Sequence, residues 1–551
     1  MHQVVSRKRT LFALFASGAI ALVSGLGVLA VQASPRVVQG DKGASSTTTP
    51  IKHLVIIYQE NNSFDHYFAT YPVATNPAGE PSFSATDNTP SINGLNDVLL
   101  APNNPNTVQP FRLDRSQSVT CDQNHGYSAE QSAYDSGLMD KFPELLGVAN
   151  TVKVGLPPNQ TAVPCDYGHG KGLVMGYYDG NTVTAIWNYA QHFSMSDNTF
   201  ETTFGPSTPG NINLISAQTH GFTPDTTSFG TAVTVNDTII GDPQPAGDIC
   251  STRDTSTQLL ASTDKNIGDL LNAKNVTWGF FQGGFREASG TSVVTGQPTT
   301  NTCQIGHANV GGVWSADYIA HHESFQYYRS TQNLQHLAPT STAMIGRTDQ
   351  ANHQYDLSDF WTAVKAHDMP AVSFLKAPAY QDGHPGYSDP IDEQHFVVDT
   401  LNQLQRTQEW SSTAAILVWD DSDGWYDHVM GPVVNQSNDP SFDRLANGNN
   451  CGTNPNDVSG GYLDRCAYGP RVPLLAVSGF AKQNYVDHSV TDQASVLRLI
   501  EDNWTLGRIG DASLDAKAGS LMDLFNFTNA EGNHSNKLFL DPNTGERAKG
   551  G

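Results

Sequence analysis

The chain has 551 residues, 38% hydrophobic and 15% charged, with 49 Gly and 30 Pro. This balance fits a globular, loop-rich protein of the size of a large α/β enzyme with insertions, and excludes a coiled coil or a wholly disordered chain. A formal net charge of −24 disfavours nucleic acid and anionic membrane surfaces as tight partners.

Residues 1–33 read as a signal peptide. Arg7, Lys8 and Arg9 form a basic start, an apolar run follows from Leu11 to about Ala30, and Val31-Gln32-Ala33 is a small-residue cleavage site. Gly, Ala and Ser dilute the apolar run and no stop-transfer charges follow it, so the expectation is cleavage, a secreted or periplasmic protein, and no stable membrane span afterwards. The mature chain keeps 27 Lys+Arg against 54 Asp+Glu. A site that handles phosphate on such a chain must gather positive charge locally, from a metal ion or from histidines. Residues 34–50 are small and polar and read as a flexible linker.

From residue 51 the pattern becomes that of a folded domain, expected to run to about 530, with 531–551 as a C-terminal tail. Apolar runs of buried-strand type occur at Leu54–Ile57, Val276–Phe281, Ala371–Leu375, Ala414–Trp419 and Pro473–Val477. Helical patterns lie between them. The clearest spans Asp492–Trp504, with Val496, Leu499, Ile500 and Trp504 on one face. Buried strands alternating with helices predict an α/β fold: a mostly parallel central sheet with helices on both faces. The stretches 76–120, 222–262, 286–310 and 432–466 lack a clear period and read as long loop insertions. Six cysteines, an even count in an exported chain, suggest disulfides; sequence proximity favours Cys121–Cys165, Cys250–Cys303 and Cys451–Cys466.

In open α/β sheets ligands bind beyond the carboxyl ends of the strands. The first apolar run delivers Glu60 and Asn61 to that edge, and the Ala414–Trp419 run delivers Asp420 and Asp421. Alone, each pair also reads as a solvated turn or a helix cap. Together, three carboxylates and an amide oxygen make a hard, oxygen-rich set suited to a divalent cation such as Ca or Mg. A third element is Gly205-Pro206-Ser207-Thr208-Pro209-Gly210-Asn211, which leads into Ile212, Leu214 and Ile215. It has the signature of a helix N-terminus, where free N–H groups seat a phosphate oxygen, and it offers Ser207 or Thr208 as a nucleophile. Histidines supply the last element: His125 in NHGY, the doublet His321-His322, and His384 in DGHPGY. Such rings bind phosphate oxygens or protonate a leaving group.

Taken in order, these segments resemble the bacterial phosphoesterases that include secreted phospholipases C and acid phosphatases, within the alkaline-phosphatase-like superfamily. The resemblance rests on HLVIIYQENNSFDHYF (His53–Phe68), the block from Met175 to Asn211, AILVWDDSDGWYDHV (Ala415–Val429), YGPRVPLLAVS and DQASVLRLIEDNW. It implies an alkaline-phosphatase-like fold, with Glu60, Asn61, Ser207, Asp420 and Asp421 as metal ligands and Ser207 as the nucleophile. It places His125, His321, His322 and His384 around the phosphate, and Asn61 among the substrate contacts. The histidine doublet and the DDSDG segment look more like the acid phosphatase branch. The phospholipase C branch more often carries an Asp-Glu pair and a threonine nucleophile, so Asp421 and Ser207 point away from a strictly phospholipid substrate.

The expected activity is therefore metal-dependent hydrolysis of a small-molecule phosphate ester through a serine phospho-enzyme, with His384 and His322 the candidates for the proton donor. The first alternative is a phospholipase C that cleaves phospholipid head groups, which predicts an aromatic cage for a quaternary ammonium; Trp425, Tyr426, Tyr327 and Tyr328 are candidate contributors, although aromatic runs more often belong to the core. A non-catalytic surface-binding protein would lack the nucleophile or the carboxylates, and every such position is filled. Paired carboxylates alone would also suit a glycoside hydrolase, but that leaves the nucleophile segment and the histidine doublet unexplained.

Overall fold

The computed structural model describes residues 46–548 except 101, 150, 153–162, 225–232, 236, 252–257, 436–438, 440, 446–450, 452–465, 467 and 529–535. The expected signal peptide, most of the linker and part of the C-terminal tail lie outside the described residues.

The central sheet has eight strands: β1 (His53–Gln59), β2 (Ser194–Ser196), β3 (Trp278–Gln282), β4 (Gln354–Asp356), β5 (Val372–Lys376), β6 (Thr413–Trp419), β7 (Leu474–Ser478) and β8 (Tyr485–Asp487). Their order across the sheet is β4-β3-β5-β1-β6-β7-β2-β8. All pairings are parallel except those of β7 with β6 and with β2. Each apolar run singled out in the sequence is one of these strands. The run at Pro473–Val477 enters antiparallel, so its start, not its end, lies at the edge where β1, β5 and β6 finish. Strands β2, β4 and β8 are three residues each, too short for a periodic signal.

The principal helices are α1 (Phe64–Phe68), α2 (Tyr127–Tyr134), α3 (Thr184–His192), α4 (Ser207–Ser216), α5 (Ile267–Ala273), α6 (Leu357–Lys365), α7 (Pro390–Leu404) and α8 (Gln493–Trp504). Successive strand residues point to opposite faces, and the core divides accordingly. Val55, Ile57, Leu375, Leu417 and Leu475 pack with Trp187, Phe360, Val397 and Leu401 of α3, α6 and α7. Leu54, Ile56, Phe374, Ile416 and Leu474 pack with Ile212, Ile215, Leu271, Val496 and Ile500 of α4, α5 and α8. Apolar side chains on both faces of the central strands explain why the runs are continuous rather than alternating. Each fully buried Leu, Ile or Phe contributes about 1.5–3 kcal/mol of transfer free energy.

The margins of the domain differ from the sequence reading in detail. Thr48 N–H donates to the Asn503 carbonyl at 2.8 Å and Thr49 Oγ1 to Asn503 Oδ1 at 2.7 Å, so the chain is held by α8 before β1 begins. Leu538 and Leu540 are buried, and Gln405 Nε2 and Asn402 Nδ2 at the end of α7 donate to their carbonyls. Within residues 286–316 lies a four-stranded antiparallel sheet of strands two to four residues long, again below the length at which a period shows. Three disulfides join Cys121–Cys165, Cys250–Cys303 and Cys451–Cys466. No helix among the described residues is long and apolar enough to cross a membrane.

A buried charge cluster fixes the chain that follows β1 and β6. Arg471 is fully buried; its guanidinium lies 3.0 Å from Asp65 Oδ1 and 3.1 Å from Asp427 Oδ2, donates to the carbonyls of Asn93 and Asp197, and covers the Phe64 ring. His428 Nδ1 completes the cluster at 2.6 Å from Asp65 Oδ2. Removing one member of such a group strands charges in a low-dielectric interior. Arg471→Met is expected to lower unfolding stability by about 3–5 kcal/mol, measured by denaturant titration; a loss below about 1 kcal/mol would show that the cluster is dispensable.

Candidate active site

At the carboxyl ends of β1 and β6 the chain turns, and the turns bring two acidic pairs together. Asn61 adopts φ 56°, the left-handed region that Asn tolerates better than most residues. Its N–H donates to Asp420 Oδ1 at 2.9 Å, and the Asp421 N–H donates to the same oxygen at 2.8 Å. Asp421 Oδ1 accepts from the Asp423 N–H at 2.7 Å. One oxygen of each aspartate is thus used by the backbone. The other, Asp420 Oδ2 and Asp421 Oδ2, is buried and has no hydrogen-bond partner.

Ser207 is the first residue of α4, after Pro206 in the cap position. Its Oγ donates to Glu60 Oε2 at 3.2 Å and lies 3.5 Å from Asn61 Oδ1. Thr208, the other hydroxyl considered, is buried with its N–H donated to Asp242 Oδ1 at 2.9 Å. Ser207 is therefore the hydroxyl turned to Glu60 and Asn61. The helix reaches this place because residue 210 is glycine: a Cβ there would lie 2.2 Å from the Asp420 carbonyl oxygen. Gln493, at the start of α8, donates its amide to the same carbonyl.

Glu60, Asp420 and Asp421 are fully buried, and their electrostatics follow from that crowding. Burial raises Asp420, and the charges of Glu60 and Asp421 raise it further, well above the usual carboxylate range. Burial also lifts Asp421 to about 7, against the pull of His125. Glu60 behaves differently: burial works to raise it, but the Lys376 ammonium outweighs that cost and holds its carboxyl low. Lys376 closes β5, is fully buried, and forms an ion pair with Glu60 Oε1.

The histidines separate into unlike environments. His125 Nδ1 lies 3.3 Å from Asp423 Oδ1 and 3.6 Å from Asp122 Oδ1. Burial disfavours its proton, but the charges of Asp421, Asp423 and Asp122 prevail and raise it well above 6.5. Its ring is 6.2 Å, centroid to centroid, from that of His384, which stacks on Tyr387. His384 Nδ1 faces the Pro385 carbonyl at 2.6 Å, and burial lowers its pKa despite Asp122 and Glu60. His322 is buried with Nδ1 3.2 Å from Glu60 Oε1, and burial with the neighbouring His321 and Lys376 lowers it well below 6.5. His321 is partly exposed, its ring edge-on to His322 at 4.4 Å.

The donor set fits a divalent cation. Two bare, buried aspartate oxygens, the Glu60 carboxylate and the Ser207 hydroxyl are oxygens of the kind that hard cations bind, and an unpaired buried carboxylate oxygen is costly unless something positive faces it. The four aromatic residues weighed as contributors to a cage pack as core side chains. Trp425, Tyr426, Tyr327 and Tyr328 are at most 4% exposed and lie in three different parts of the core. Trp425 stacks on His66 at 3.8 Å, and the hydroxyls of Tyr327 and Tyr328 are spent on the Pro243 carbonyl and Ser216 Oγ. Aromatic residues next to a site motif were needed to fill the core.

Sequence reasoning missed Lys376, Glu130 and Asp382. Lys376 was within reach of the rule that found the carboxylates, since it directly follows the apolar run Ala371–Leu375. Glu130, on α2, accepts from the Gly205 N–H at 3.1 Å and from Ser422 Oγ at 2.8 Å, tying the turn before Ser207 to the DDSDG turn; nothing local marks it. Gly210→Ala is expected to displace α4 from Asp420 and lower turnover by about 100-fold, the scale of a misplacement near 1 Å. Kinetics alongside circular dichroism checks this; unchanged turnover would mean that the close approach is not needed.

Comparison with known proteins places the chain among phosphoesterases. The chain is 23% identical over 493 residues to the non-hemolytic phospholipase C of Pseudomonas aeruginosa, covering 87% of this chain and 58% of that protein. It is 23% identical over 492 residues to phospholipase C B of Mycobacterium tuberculosis, covering 87% and 78%. It is 22% identical over 457 residues to non-specific phospholipase C6 of Arabidopsis thaliana, covering 81% and 65%. The chain thus spans less than three fifths of the Pseudomonas protein's length. A solved structure of a protein in the alkaline phosphatase superfamily from Vibrio parahaemolyticus aligns with 59% of this chain and 62% of its own at 11% identity, with a TM-score of 0.25, too remote a likeness to argue from. The model of the Phosphoesterase family matches residues 51–507, a span that includes every strand of the central sheet, α4 and α8. The chain belongs to the Phosphoesterase family.

Proposed function

We propose that this protein hydrolyses phosphoric esters by way of a phosphoserine at Ser207, in a cation site built by Glu60, Asn61, Ser207, Asp420 and Asp421. The observation that carries this reading is the position of Ser207 Oγ. It sits at the N-terminus of α4, hydrogen-bonded to Glu60 and close to Asn61, which is itself tied to Asp420. A divalent cation held there would act as a Lewis acid and lower the pKa of the serine hydroxyl.

The residues of the chain account for the remaining steps. Ser207 passes its hydroxyl proton to Glu60 Oε2, its hydrogen-bond acceptor, as Oγ attacks phosphorus in line; an O–P bond forms, the ester P–O bond breaks, and the leaving oxygen takes a proton. Water then cleaves the phosphoserine, releasing phosphate and restoring the hydroxyl. The N-terminus of α4 contributes the positive end of its dipole on the phosphoryl side, although the Thr208 N–H is spent on Asp242 Oδ1 and Pro209 has none. His125 is better placed as proton donor than His384 or His322, because its pKa is raised while theirs are lowered. The two neutral rings and the partly exposed His321 line the phosphate side. Three disulfides and the export-type N-terminal segment support a secreted or periplasmic location.

Within phosphoric esters we favour a small monoester, because the buried positions of the four aromatic residues offer no cage for a quaternary ammonium. The second reading, a phospholipase C, is favoured by the names of the relatives. Hydrolysis of a nitrophenyl phosphate and of its phosphorylcholine diester, each with wild type and Ser207→Ala, separates the two. Faster monoester cleavage, lost by at least about 1,000-fold in the variant, is the expected result. Faster diester cleavage would transfer the protein to the second reading, and wild-type turnover in Ser207→Ala would remove the nucleophile.

The proton donor gives a pH dependence with a defined sign. The active form carries the proton, so the rate is expected to hold through mildly acidic and neutral pH and to fall as pH rises through the raised pKa of His125. His125→Gln is expected to lower the rate and abolish that alkaline fall. A rate that climbs steadily above neutrality would contradict a histidine acid.

A further inference from the structure

Beside the serine lies a second cluster of ligand atoms, of which the proposed function uses Glu60 and His322 but not Asp382. Glu60, His322 and Asp382 place one ligand atom each within 4.8 Å of one another, and all three residues are buried. His322 Nδ1 is 3.2 Å from Glu60 Oε1 and 3.8 Å from Asp382 Oδ2. Asp382 is held from two sides: its Oδ1 accepts from the His384 N–H at 3.0 Å, and its Oδ2 from the Tyr387 hydroxyl at 3.3 Å. The Glu60 N–H in turn donates to the Asp382 carbonyl at 2.9 Å. One imidazole nitrogen and two carboxylate oxygens, fixed by their own hydrogen bonds, are a ligand set for a transition-metal ion.

A positive group is already there. The ammonium of Lys376 binds Glu60 Oε1, the same oxygen that faces His322, and lies 4.5 Å from the centre of the Tyr58 ring. Its charge also acts on Asp382 and His322. The Glu60 carboxylate is therefore divided: Oε1 is turned to Lys376 and Oε2 to Ser207. A carboxylate bridging two cations a few ångströms apart is the arrangement of two-metal phosphoryl-transfer sites. Here one side of the bridge ends on a lysine.

We propose that Lys376 occupies, with its ammonium, the place of a second divalent cation, and that Glu60, His322 and Asp382 form a latent metal site opened by removing it. The ammonium belongs to the chain itself and needs no loading. It also excludes a second ion, because like charges in a buried space repel and Lys376 fills the volume. The inference rests on the cation-site part of the proposed function and not on which ester is cleaved.

The test reads metal content rather than turnover. Wild type and Lys376→Ala, freed of metal and then loaded with manganese(II), are analysed by elemental mass spectrometry after gel filtration. Wild type is expected to hold one ion per chain and Lys376→Ala two, the additional ion being lost again in Lys376→Ala/His322→Ala. Lys376→Met, which fills the volume without a charge, is expected to hold one. Two ions in wild type, or one in Lys376→Ala, would overturn the assignment. So would a Lys376→Ala protein that does not recover a cooperative melting transition at any manganese concentration. Failure on stoichiometry with one ion still bound leaves the phosphoesterase reading intact, whereas a wild type that binds none contradicts both.

Discussion

Three carboxylates buried at one point constrain this protein more than any other feature. Glu60, Asp420 and Asp421 are each removed from water, and two like charges a few ångströms apart in a low-dielectric interior cost far more than they do in solution. A fold tolerates such a group only where positive charge meets it. Lys376 answers Glu60, His125 answers Asp421 and Asp423, and the bare oxygens of Asp420 and Asp421 remain for a cation. The charge that costs stability here is also the charge that would draw a divalent ion, so the cost in stability and the capacity for chemistry have one origin.

The surrounding architecture serves that arrangement. Parallel strands β5, β1 and β6 end side by side, which delivers Lys376, Glu60 and Asp420 to adjacent positions without any long-range coincidence in the loops. The helix that carries Ser207 then has to approach the end of β6 closely, and Gly210 permits contact with the Asp420 carbonyl. Behind the turns, Arg471 with Asp65, Asp427 and His428 holds the two segments leaving β1 and β6. Glu130 fastens the turn before Ser207 to the turn after Asp421. Rigidity at this level matters because phosphoryl transfer depends on positioning and electrostatics more than on covalent participation by many groups.

Much of this was legible in the sequence, for a physical reason in each case. A strand covered on both faces must be apolar throughout, so the five long strands announced themselves, and two of them, β1 and β6, led to the carboxylates. The start of α4 was marked by Pro and Gly around a hydroxyl, and disulfide pairing followed sequence proximity. Other features carry no local signal. Three-residue strands have no period, the antiparallel sense of β7 depends on its connections, and Glu130 reaches the site only through tertiary packing. For the aromatic residues near the motifs the sequence left both a cage and a core role open, because composition cannot distinguish a ring facing a ligand from one facing the core. The choice among histidines as proton donor turned on neighbouring charges, and His125 is separated from Asp421 and Asp423 by nearly 300 positions in the chain.

The account stands or falls on a covalent phosphoserine. Rapid acid quenching of the wild-type protein during turnover of a phosphate ester, followed by proteolysis and peptide mass spectrometry, looks for it directly. A phosphoryl group on Ser207, formed at a rate compatible with turnover and absent after prolonged incubation without substrate, is the predicted result. Turnover with no phosphorylated peptide under conditions that trap such esters, or a phosphoryl group on Thr208, would contradict the assignment of Ser207 as nucleophile.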